Sequence, residues 1–179
     1  DPEKVTSYEI GVKTDWLGRR LRLNVSAFKA TYDGLQTINV IPDLTQGPGQ
    51  SRVNINNADA TIKGIETELV FAPVELVDLT VRYTYLDTRF DRFIQTTSIQ
   101  ADGTPVRVDL AGNRLTRTPK HAVVADLGLE TPEASWGWLR LQGTVDYQSE
   151  AFDDSTNDFQ EYRRPRTLVD VSLTWHVND

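Results

Sequence analysis

Cysteine is absent from the 179 residues, which removes disulfide staples, thiolate metal sites and cysteine nucleophiles in one step. Methionine is absent too, at position 1 as elsewhere, so a fragment or processed piece of a longer chain is expected. The only histidines, His121 and His176, belong to different strands, one near the start of its strand and the other near the end of its own. A histidine metal site or catalytic triad needs close partners that such a placement does not supply. No apolar run reaches about 18 residues, so these residues hold neither a transmembrane helix nor a signal peptide; the mean hydropathy is -0.43. A membrane is not thereby excluded, because a spanning strand needs only about 9 to 11 residues with one face to lipid. The net charge of -7 and the scatter of the 19 basic residues leave no basic stripe for nucleic acid.

What is present is a period of two. Seven strands are expected near residues 5–16, 20–33, 60–71, 78–90, 119–131, 138–149 and 165–176. In "SYEIGVKTDW", Tyr8, Ile10, Val12, Thr14 and Trp16 alternate with Ser7, Glu9, Gly11, Lys13 and Asp15. Over all seven strands, 31 positions of one parity carry no charge, whereas the interleaved set holds twelve, among them Glu66, Glu68, Arg82, Asp126 and Arg140. Two architectures satisfy this tally. In a soluble sandwich the apolar faces pack on each other; in a membrane barrel they meet lipid and the charges line a wet lumen.

The connections favour the barrel. Links after the first, third and fifth strands ("LGRR", "APVELV", "PEASWG") are short, while those after the second, fourth and sixth run to about 16 to 28 residues. Antiparallel strands return every odd link to the same side, and outer-membrane barrels keep short turns on the periplasmic side and long loops outside. Trp16, Trp136, Trp138 and Trp175 fall near short-link ends, with Tyr8 and Tyr147 toward the long-loop ends. Two belts of membrane-interface aromatics are therefore expected, since indole and phenol rings settle at the headgroup boundary. The fold class read from these signals is all-β, with antiparallel up-and-down strands forming part of a transmembrane β-barrel.

At "YEIGVKTD" (8–15), "LRLNVSAFKATYDGLQ" (21–36), "NADATIKGIETEL" (57–69), "YTYLDTRF" (83–90) and "DLAGNRLTRTPKH" (109–121) the sequence resembles the carboxy-terminal half of the barrel of TonB-dependent outer-membrane receptors, the siderophore branch in particular. The resemblance implies that residues 1–179 are about seven strands of a larger barrel in the outer membrane of a Gram-negative bacterium, lacking the plug and the final strands. It further implies uptake of a ferric siderophore or similar ligand, powered by the TonB complex acting through the missing plug, with outer-membrane lipid and lipopolysaccharide outside. No enzyme activity, cofactor or resident metal is expected. A passive porin and a soluble β-sandwich binding module are the alternatives, separable by a plug upstream and by dependence on detergent.

Several side chains carry local readings. Glu66 and Glu68 share one face, as an acid/base pair would, and are expected to line water or meet Arg82 across the sheet. Gly11 and Gly64 are expected to make room for close packing. Arg114, Arg117 and Lys120 are cations near the second long loop, either solvated or placed for lipopolysaccharide phosphates. Asp153, Asp154, Asn157 and Asp158 form an acidic loop without the spacing of a calcium hand. "GPG" at 47–49 is a loop hinge, and no ligand pocket is legible in 43–52, 91–109 or 150–164.

Overall fold

Alternating, β-branched and aromatic-rich stretches fold as strands because their side chains suit a pleated surface with two different faces. The computed structural model, which describes residues 2–178, contains ten strands: β1 (Lys4–Trp16), β2 (Leu21–Pro42), β3 (Ser51–Val74), β4 (Val77–Ile99), β5 (Pro105–Asp109), β6 (His121–Glu130), β7 (Trp138–Gln148), β8 (Ala151–Phe152), β9 (Tyr162–Arg163) and β10 (Arg166–His176). Seven of them form one antiparallel meander in the order β1-β2-β3-β4-β6-β7-β10, with β5 paired to the upper part of β4 and β8 with β9 as a separate ribbon. These seven correspond one for one to the strands expected from the period of two.

Directly opposed residues in a sheet share a face, so the register decides the face of every side chain. One row runs Val12, Val25, Thr67, Tyr83, Val123, Tyr147, Thr167; the next runs Thr14, Leu23, Leu69, Val81, Ala125, Val145, Val169. All 31 uncharged positions thus lie on a single continuous face. Among the described residues no second layer covers it: Ile10 is 76% and Val171 71% exposed. A sandwich would bury these rows against its other sheet. The row through Trp16 reaches β10 at Val171, above Trp175, the stagger expected of strands tilted within a barrel wall.

The long links are shorter than the sequence suggested. β2 continues to Pro42, β3 begins at Ser51 and β4 runs to Ile99, so most of the first expected loop and part of the second are strand. Two bulges hid this. Tyr32 and Leu35 are opposed by Ala60 and Ala58, which leaves one extra residue in β2; Phe90 and Arg92 are opposed by Ala60 and Asp59, which leaves one in β4. Each bulge reverses the parity of its strand, and an alternation followed past it loses phase. The polarity of the inner face also changes there. Below the bulges it is ionic, and above them it becomes a small apolar core of Ala58, Ala60, Phe90, Phe93 and Leu110, joined by Tyr32, Leu35, Val108 and Leu115.

Asp59 holds both bulges. Its carboxylate accepts the Gly34 N–H of β2 at 3.0 Å and the Arg92 Nε–H of β4 at 2.8 Å. These bonds, that from Arg92 above all, hold the Asp59 carboxyl below the ordinary carboxylate range. A lowered pKa means that the stabilisation is complete above the unfolded value of about 3.9 and is lost as pH falls through the folded value. Asp59→Asn is therefore expected to raise amide exchange at Gly34 and proteolysis at 33–34 near neutral pH, and strong acid is expected to do the same in the unsubstituted protein. Unchanged exchange at Gly34 would show that the bulge forms without Asp59.

Candidate functional site

The chemistry-bearing surface is the face opposite the uncharged rows. Lys13, Asn24, Glu68, Arg82, Val124 and Asp146 form one cross-strand row, and Asp15, Arg22, Val70, Thr80, Asp126, Thr144 and Asp170 form the next. Arg22 donates to Asp15 at 2.8 Å, Asn24 donates to Glu68 at 2.9 Å and the Thr144 hydroxyl donates to Asp126 at 2.8 Å. Arg82 faces Glu68 in register but makes its ion pair with Asp126, at 3.5 Å. Glu66 and Glu68 border an open hollow of about 340 Å³ with Glu9, Lys13, Asn24 and Arg82. It is an open, mixed-charge shelf.

Glycine makes two close approaches possible on this face. At Gly64 an added Cβ would lie 2.4 Å from Cζ of Phe28 and 2.9 Å from the Tyr85 carbonyl oxygen, so the end of the Phe28 ring occupies the space a side chain would need. At Gly128 an added Cβ would lie 2.4 Å from the Asp78 carboxylate and 2.8 Å from Arg140. That gap lets Arg140 reach across to Asp78, at 3.1 Å, while also pairing with Glu130. At Gly11 an added Cβ would lie 3.3 Å from the Ser26 Cβ and from the Val25 carbonyl oxygen, a tight fit. The packing role expected of Gly64 and Gly11 is what the geometry shows.

The six aromatics divide unequally. Tyr8, Trp16 and Trp175 stand on the uncharged face and are exposed; Tyr147 shares that face, opposed by Val123 and Thr167. Trp175 Nε1–H donates to the Trp136 carbonyl at 3.0 Å, tying the end of β10 to the β6–β7 turn, where Trp136 is exposed. Trp138 is a correction. It precedes Leu139, an outward residue, and so points inward, where its ring stacks on His176 with centroids 3.8 Å apart. Proximity to the short link was read from sequence without parity. The sequence also understated an upper cluster: Tyr83 and His121 are hydrogen-bonded at 3.0 Å on the uncharged face, and Tyr85 packs against His121 at 5.4 Å.

The segments above the sheet form a tied cap. Asn113 donates to the Ser155 and Thr156 carbonyls, both at 2.9 Å, and Asn157 returns the contact by accepting the Arg114 N–H at 2.7 Å. Arg114 pairs with Glu150 at 3.4 Å and lies over the Phe152 ring, and Arg117 pairs with Asp153, which also takes Arg163. Arg114 and Arg117 are thus committed within the cap. Lys120 instead lies 5.8 Å from the Tyr85 ring centroid. Asp153 is held ionised by its arginines, Arg163 first, below the usual carboxylate range. Asp154 accepts the Thr156 N–H at 2.8 Å. The acidic loop is a set of ion pairs and turn bonds. Among the described residues, no group of three or more His, Cys, Asp or Glu side chains is gathered as a metal site.

Residues 1–179 match the family model described as "TonB dependent receptor-like, beta-barrel". Among solved structures, the siderophore receptor PiuA from Acinetobacter baumannii aligns with 99% of this chain at 21% identity and a TM-score of 0.72, over 23% of its own length. BauA, the ferric preacinetobactin receptor from Acinetobacter baumannii, aligns with 96% at 23% identity and 0.66, over 22% of its length. The ferric yersiniabactin uptake receptor FyuA from Yersinia pestis aligns with 98% at 17% identity and 0.72, over 23% of its length. The chain therefore spans about a quarter of the structures it matches.

Proposed function

The chain belongs to the TonB-dependent receptor β-barrel family, and from that premise we propose that it is part of the wall of an outer-membrane active transporter, one that takes up ferric siderophores through TonB. The family is characteristic of the Gram-negative outer membrane and consists of receptors, not enzymes. The observation that carries the reading is the register, which gathers every uncharged outward position on one face and the ion-paired network on the other. In a barrel, the first face is compatible with hydrocarbon and the second with a watery lumen. No bond is made or broken by these residues.

On this reading the plug and the remaining strands belong to other parts of the parent protein, and TonB is engaged there. Outer-membrane lipid covers the uncharged face and lipopolysaccharide its outer rim. Tyr8 and Tyr147, with Tyr83, Tyr85 and His121, form the upper interfacial belt; Trp16, Trp136 and Trp175 form the lower. The tied cap supports a ligand-capture role, because bonded loops over an apolar core hold a shape that free loops do not.

The test is a strain lacking the parent gene, grown on a panel of ferric chelates with uptake of labelled iron measured. Loss of uptake of one chelate, restored by the intact gene only when TonB is present, is the expected result. Uptake independent of TonB, with small solutes passing freely, would favour the passive porin.

A further inference from the structure

β2 outlasts its neighbour. Its pairing with β1 starts at Leu21 opposite Trp16 and ends at Asp33 opposite Lys4, whereas β2 itself runs on to Pro42. Over residues 35–42 one edge of β2 is bonded to residues 51–58 of β3; among the described residues no strand lies on the other edge. The inner face of this upper ribbon is closed, with Ile41 and Asn56 buried and Asn39 donating to the Thr96 carbonyl of β4 at 3.0 Å. Its outer face is open and apolar. Ile38 opposes Ile55 and Val40 opposes Val53, each between 61% and 70% exposed.

On the wall reading the acyl chains end near Tyr8, which stands opposite Lys29. At about 3.3 Å per residue, Ile38 lies roughly 25 Å beyond Lys29 along β2, and the ion pairs Arg89–Asp91 and Arg92–Asp59 occupy the outward face at intermediate height. Lipid therefore does not complete the ribbon. Natural sheets blunt a free edge with charge, with proline or by shortness, but residues 35–41 hold no charge and Pro42 comes only at their end. Such an edge is a template for another strand. The chain entering β1 passes beside it, because the Pro2 carbonyl oxygen lies 3.8 Å from the position a Cβ on Gly34 would take. That chain descends into β1 antiparallel to β2, the direction in which pairing is the more stable. A second copy in the same membrane would present its own β2 pointing the same way, so the two edges could not pair antiparallel.

We propose that the segment of the parent chain immediately before Asp1 is a strand on this edge of β2 and makes the ribbon a three-stranded blade above the membrane. The bulge dictates the register. β2 carries one extra residue between Tyr32 and Leu35, and outward residues must oppose outward residues, so pairing resumes with Pro2 opposite Gln36. Pro2 has no N–H to give, and it falls where the bulge already interrupts the ladder. Ile38 is then opposed by the first residue before Asp1 and Val40 by the third. Both carry β-branched or aromatic side chains, the partners that suit an apolar cross-strand row; the second, beside Asn39 on the inner face, is polar. The blade holds the loop that precedes it at the height of Pro42, beside the tied cap. The proposal rests on the reading of this chain as one part of a longer receptor wall and adds to it the occupant of the open edge.

The test uses the parent protein, purified from outer membranes in mild detergent. Hydrogen exchange is followed at those amides of residues 36–41 that do not bond β3. They are expected to exchange slowly in the parent and roughly a hundredfold faster when prolines replace the first and second residues before Asp1, since a paired edge exchanges only on local opening. One of those two residues must donate to β2, and alanines at the same positions are expected to leave exchange slow. Ile38→Cys combined with a cysteine at the first residue before Asp1 is expected to oxidise to an internal disulfide, opposed Cα atoms being about 4.5 to 5.5 Å apart. Ile38→Cys combined with a cysteine at the second is expected not to. Equally fast exchange in the parent and the proline variant, without the disulfide, in a barrel that still requires detergent, would overturn the blade alone. Protection that disappears when the parent is diluted to a monomer would assign the edge to a second copy and overturn the blade as well. A parent protein that stays monodisperse without detergent would instead overturn the wall reading beneath it.

Discussion

Val81→Arg is expected to destabilise the folded barrel by about 2 to 4 kcal/mol, the cost of a cation on the lipid face at the bilayer midplane. Val81 is the middle outward residue of the part of β4 between Val77 and Tyr85, and its row continues through Leu69, Ala125 and Val145 without a charge. Leu141→Arg, nearer the periplasmic belt on β7, is expected to cost less than Val81→Arg because the penalty falls toward the interface. Thr144→Arg should be mild. Its side chain faces the lumen between Asp126 and Asp170, where a guanidinium finds water and opposite charge. Denaturant titration of the refolded parent protein in lipid vesicles measures all three, and similar losses at positions 81 and 144 would contradict the assignment of faces.

Gly64→Ala is the second large effect, expected to cost about 1 to 3 kcal/mol through overpacking. The new methyl would meet both the Phe28 ring and the backbone oxygen of Tyr85. A ring can turn aside, but a carbonyl in the β3–β4 ladder cannot move without loosening the register there. Phe28→Ala should relieve part of the cost, so the double variant is expected to be more stable than the sum of the two single losses predicts, with a coupling of about 0.5 kcal/mol or more. Strict additivity would mean that Phe28 does not press on this glycine.

The membrane-level sheet was legible in the sequence because two solvents impose two compositions on alternate residues, and nothing interrupts that alternation between Trp16 and Tyr8 or between Val77 and Tyr85. The cap was not legible, for two physical reasons. The bulges at Asp33–Gly34 and near Asp91 add a residue and flip the parity, and above them both faces lose their contrast. There the inner face packs Phe90 and Phe93 while the outer one exposes Ile38, Val40, Val53 and Ile55. "YDG" at Tyr32–Gly34 was the available signal, since Gly34 takes a positive φ of 70° that marks a bulge more readily than a continuing strand. Trp138 shows the converse failure. Its residue type suggested the belt, whereas its parity, already visible beside Leu139, placed it in the lumen. The commitments of Arg114 and Arg117 were beyond sequence reading, because Glu150 and Asp153 lie more than thirty residues away along the chain.

Labels at single cysteines, with any cysteine elsewhere in the parent protein replaced, measure directly which face meets hydrocarbon, since this chain has none of its own. Single cysteines at Val12, Val81 and Val145 on one face, and at Lys13, Thr84 and Asp146 on the other, would carry nitroxide labels in the parent protein reconstituted in vesicles. Power saturation should show the first set relaxed by dissolved oxygen and shielded from a water-soluble nickel chelate, with the reverse at the second set. Labels at 12, 81 and 145 that neither reagent reaches would mean that these rows are sealed against protein, and the account of the wall would fail.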